Sequence, residues 1–82
     1  MLTANEVLST CFLETRCQLL EIGAMLDRLD HAVAENSTGA EAGDALADTR
    51  LAKIYRSLDL LAERQTTPDR VERLLNLFSD LD

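Results

Sequence analysis

The sequence predicts an all-α protein, and three observations carry that reading. Leucine occurs 16 times and alanine ten times, against five for isoleucine and valine together. Leucine and alanine favour helices, whereas strands draw on β-branched and aromatic side chains. Apolar residues recur in alternating steps of four and three, the spacing that lines one side of a helix. One proline and three glycines leave little material for the tight turns of a β fold.

A first helix is expected over about residues 4–35. Thr3-Ala4-Asn5-Glu6 reads as a capping box, in which threonine and glutamate satisfy each other's free backbone N–H. An apolar seam follows through Leu8, Phe12, Thr15, Leu19, Ile22, Leu26, Leu29 and Val33, nearly four heptads without a break. Some 30 residues in one helix span about 45–50 Å. Gly23 lies inside it at a helix-propensity cost of up to about 1 kcal/mol relative to alanine, which close approach of another helix would justify. A second stripe, Leu13, Cys17, Leu20 and Ala24, lies roughly 120–180° away around the same helix. A helix with one buried face carries polar residues there. Two stripes imply cover from two sides, so these four residues are the candidate interface.

Residues 36–43, with two glycines among small polar neighbours, read as a flexible connection. A second helix is expected over about 44–66, with Asp44 as N-cap and a seam of Ala47, Leu51, Ile54, Leu58 and Leu61. A third is expected over about 68–81, opened by Thr67 as N-cap and Pro68 at the first helical position. Its stripe is Val71, Leu74, Leu75, Phe78 and Leu81. The second and third helices together roughly match the first in length. The expected architecture is one domain over 1–82, the long N-terminal helix packed antiparallel against two shorter ones as a helical hairpin or three-helix bundle. Such a chain leaves apolar surface uncovered, and completion as a homodimer or larger oligomeric bundle is expected.

Charge narrows the partners. The net charge is −7, which disfavours nucleic acid and anionic membranes, both of which select for basic surfaces. The stretch Thr3–Glu35 holds six acids and two bases, and Ala45–Thr67 three acids and four bases. Pairing between the first and second helices follows from that difference. Arg70 and Arg73 are expected to be solvated. No signal peptide or apolar run of membrane-spanning length is expected, and the assigned location is the cytoplasm. Cys11 and Cys17 are about 9 Å apart on one helix, too far to bridge, so free buried thiols in a reducing compartment are expected.

Chemistry-bearing motifs are sparse. His31 is the single histidine, and Asp27 precedes it by four residues on the same helix face. With Glu14 and Glu21 from neighbouring chains, the pair could form a carboxylate–histidine metal site in a bundle. The chain holds no Glu-x-x-His, however. An ordinary surface pair at Asp27 and His31, with Glu14 and Glu21 on a solvated face, accounts for the same spacings. The cysteines lie about 21–30 Å from His31 along the helix, which removes a cysteine–histidine nucleophile within one chain. Phosphate-loop and zinc-finger spacings are missing, and no basic recognition helix is present. The expectation is a non-enzymatic assembly or protein-interaction module without a cofactor, the metal-binding bundle being the alternative.

Overall fold

The computed structural model describes residues 1–36, 47–64 and 67–79. Among these the chain is all-helical, with α1 at Ala4–Asn36, α2 at Thr49–Ala62 and α3 at Arg70–Phe78. No described helix is long and apolar enough to cross a membrane. The chain divides into two compact units, Met1–Ser37 and Thr38–Asp82.

The first unit is α1, 33 residues long. Its start is the capping box expected from Thr3 and Glu6. The Thr3 N–H donates to Glu6 Oε1 at 3.2 Å, and the Glu6 N–H donates to Thr3 Oγ1 at 3.1 Å. The Val7 N–H closes the first turn on the Thr3 carbonyl at 3.0 Å. Along the seam, Leu8, Phe12 and Leu19 are exposed, while Ile22, Leu26, Leu29 and Val33 are half-buried.

In the second unit α2 starts later than the spacing predicts. Ala47 stands in a turn and Asp48 is the N-cap, accepting from the Arg50 N–H at 2.8 Å; Asp44, the expected cap, lies outside the described residues. Asp48 has Arg50 two residues on to hold it. The Arg50 guanidinium grips both carboxylate oxygens, from Nε at 3.0 Å and from its terminal nitrogen at 2.7 Å. These hydrogen bonds pull the Asp48 carboxyl down to about 2. Unfolded, it titrates near ~3.9. Its contribution is therefore complete above that value and lost as pH falls from about 4 to about 2. Circular dichroism at 222 nm should show α2 losing helicity across that window, and Asp48→Ala should abolish that part of the pH dependence.

The second helix ends at Ala62, with the Glu63 N–H donating to the Leu60 carbonyl at 3.3 Å. Ser57 is the buried residue of α2, and its hydroxyl donates back to the Lys53 carbonyl at 2.7 Å. The second and third helices pack on each other. The expected seam of α2 is half-buried at Leu51, Ile54 and Leu58, with Leu60 beside them, while Leu61 is exposed.

The third helix is shorter than the 68–81 expected. Its N-cap position is held by Asp69, not Thr67, and it begins at Arg70 with Pro68 ahead of it. The Asp69 carboxylate makes no capping hydrogen bond, so the start of α3 is fixed otherwise. Arg70 donates from its guanidinium to the Glu63 carbonyl, and Arg73 donates to the Glu63 carboxylate at 2.8 Å. The two arginines expected to be solvated thus clamp α3 to the C-terminus of α2. Cationic side chains suit that position because they meet unpaired carbonyls at the negative end of the helix dipole. Leu74 and Leu77 are half-buried, whereas Val71, Leu75 and Phe78 face outward. Leu81 lies outside the described residues.

Candidate functional site

Helical geometry places the candidate interface on α1. At 100° per residue, Leu13, Cys17, Leu20 and Ala24 form one continuous line. All four are exposed, Leu13 at 68% and Leu20 at 57% of their full accessible surface. Leu8, Phe12 and Leu19 are exposed to a similar degree on the other side of the helix. Apolar residues are therefore spread around α1, in contrast to α3, which concentrates them on one side. A single helix has no interior in which to bury either line.

The same line continues into Asp27 and His31, but those two do not pair. His31 Nε2 contacts Glu35 Oε2 at 3.3 Å, four residues onward, and both side chains are largely exposed. Glu35 and Asp27 are equally spaced from His31 in sequence, and the C-terminal neighbour is the one engaged. Glu14 and Glu21 are about 10 Å apart along the axis, and Glu14 is about 25 Å from His31. One chain therefore does not bring the four candidate ligands together. Among the described residues no group of three or more histidine, cysteine or acidic side chains stands close enough to hold a metal ion.

Cys11 and Cys17 are free and exposed, not buried as expected. They lie on different sides of α1, Cys17 within the second stripe and Cys11 outside it. Burial of Cys17 requires a second surface, because a lone helix supplies none.

The second unit carries an open groove between α2 and α3, lined by Arg56, Asp59, Leu60, Glu63, Arg73, Asn76 and Leu77. Its charges are already committed in part to structure, since Arg73 holds Glu63. The groove is open to solvent and presents no histidine or cysteine, so it offers neither enclosure nor an obvious nucleophile. Periodicity alone missed the Glu63 clamp that shapes this groove, because its partners are seven and ten residues apart across a helix boundary. The one available signal was arginine in the first turn of α3, where the dipole favours acids, which marks those side chains as serving something else.

No family model, curated protein or solved structure matches this chain. The surface of α1 is thus the feature from which a function is to be read. It exposes apolar side chains along two lines, flanked by charge.

Proposed function

We propose that the protein is a non-enzymatic assembly module that associates with further copies of itself through α1. The observation that carries this reading is the pair of exposed apolar lines on one helix, Leu8, Phe12 and Leu19 on one side, Leu13 and Leu20 on the other. Large contiguous apolar surfaces of this kind mark interfaces. In the assembled state the copies complete a helical bundle over these lines.

Magnitudes favour a bundle over a single thin contact. In a pair of chains the second stripe buries four leucine side chains, worth about 6–12 kcal/mol before costs. Association costs about 4–15 kcal/mol in lost rotational and translational freedom. The stripe alone is therefore a weak interface, and burial of Leu8, Phe12 and Leu19 in the same assembly supplies the surplus. The charges of the groove are in part committed to structure, since Arg73 holds Glu63, and this favours an interaction role over catalysis.

Native mass spectrometry with sedimentation equilibrium on the untagged full chain tests this. The expected result is a dimer or larger closed oligomer at micromolar concentration. A monomer at 100 µM and above would remove the reading.

A further inference from the structure

The charges bordering the second stripe of α1 have no partners within their own helix. Glu14 has no basic residue three or four positions away in either direction, and the same holds for Asp30. Arg16 and Arg28 likewise have no acidic residue at those spacings. None of the four enters an ion pair among the described residues. Helical geometry sets Glu14, Glu21 and Arg28 along one border of the stripe and Arg16, Gly23 and Asp30 along the other.

Gly23 is the second observation. A Cβ added there meets nothing within 4 Å, so no packing among the described residues requires a glycine in mid-helix. The residue lies at the middle of the charged segment, seven positions from Arg16 and seven from Asp30.

From these we infer that a second copy of the chain docks on this stripe antiparallel, with the two-fold axis passing near Ile22 and Gly23. The inference rests on the self-assembly proposed above and specifies its orientation and register. In that arrangement Leu20 packs on the partner's Ala24, and Cys17 and Leu13 face the partner's Asp27 and His31. Arg16 meets the partner's Asp30 along one border, and Glu14 meets the partner's Arg28 along the other. Symmetry doubles each contact, giving four attractive pairs against one like-charge approach of Glu21 to its own copy. The two Gly23 residues meet at the axis, where the missing side chains let the backbones come close.

Other arrangements lose this match. A parallel, in-register pair sets Arg16 by the partner's Glu21, which attracts, but sets Asp30 by the partner's Glu35, which repels. Sliding the antiparallel pair by one heptad brings Glu14 against Glu21 in one direction and against Glu35 in the other. Exposed ion pairs add little affinity, but repulsive alternatives select orientation and register.

The native Cys11 provides the measurement. It is exposed and lies off the stripe, so a nitroxide label there leaves the contact intact. Cys17→Ser makes it the single thiol. Double electron–electron resonance is recorded on the labelled full chain, with native mass spectrometry of the same sample. The antiparallel register sets the labels about 35–40 Å apart, from 22 residues of axial offset and one helix spacing. A parallel dimer sets them about 10–20 Å apart. An oligomer with a main distance near 35–40 Å supports the inference. An oligomer lacking that component overturns the orientation while self-assembly stands. A monomer overturns self-assembly itself. Far-ultraviolet circular dichroism against the parent chain shows that the serine variant keeps its helicity.

Discussion

Leu20→Glu is expected to convert the oligomer to a monomer while leaving α2 and α3 folded. Within one chain Leu20 is 57% exposed, so the substitution removes little intrachain packing. Leucine and glutamate also have similar helix propensities, and α1 as a helix is not directly penalised. The cost falls on association. A symmetric pair loses two buried leucines, about 3–6 kcal/mol, and must strip water from two carboxylates in their place. The dissociation constant should rise by about 100-fold or more, since 1.4 kcal/mol is about a factor of ten. Sedimentation equilibrium across a concentration series reads this directly. A Leu20→Glu protein with the parent mass and the parent melting temperature would remove the stripe from the interface.

Replacing both arginines of the clamp, Arg70→Ala with Arg73→Ala, is expected to release α3 from α2. The Arg73–Glu63 ion pair is about one-third exposed on both sides and contributes about 0–1 kcal/mol after screening. The Arg70 hydrogen bond to the Glu63 carbonyl is charge-assisted and contributes about 1.5–3 kcal/mol. Arg70→Ala alone should therefore cost more than Arg73→Ala alone. The third helix is nine residues long, too short to persist without docking, because isolated helices below about 12–15 residues are marginal in water. Its loss should be all-or-none, with helicity falling by about one short helix. A small domain shifts by about 4–8 °C per kcal/mol, so the melting temperature should drop on the order of 10 °C. Unchanged helicity and melting temperature in the double variant would reduce the clamp to surface decoration.

Local signals made α1 readable from the sequence, and non-local ones hid the second unit. Thr3 and Glu6 are three residues apart and satisfy each other whatever lies elsewhere, so the start of α1 falls where the spacing places it. Its far end follows from the small polar residues after Asn36. The start of α2 turned on which aspartate recruits Arg50, a side-chain contact that apolar periodicity does not encode. Thr67-Pro68 resembles a helix opening, yet the chain delays the helix to Arg70, where Glu63 of the preceding helix captures two guanidinium groups. The same limit applies to His31, whose two acidic neighbours at four-residue spacing look equivalent until the side chains are placed. The second stripe is legible because it is a property of one helix, and its exposure follows from the residues along that helix alone.

In the proposed assembly the length of α1 ties folding to mass action. Most helical stability in proteins comes from packing an apolar face and little from intrinsic propensity. With Leu8, Phe12, Leu13, Leu19 and Leu20 all open to water in the single chain, the proposed assembly would supply that support to the N-terminal half of α1. Dilution then removes helix as well as partner. Anything that binds only the folded form raises apparent stability in proportion to the logarithm of its concentration, and in the proposed assembly the chain itself is that ligand. The amount of protein present would thereby become a variable of its own secondary structure, with sparse copies frayed along α1 and crowded ones rigid.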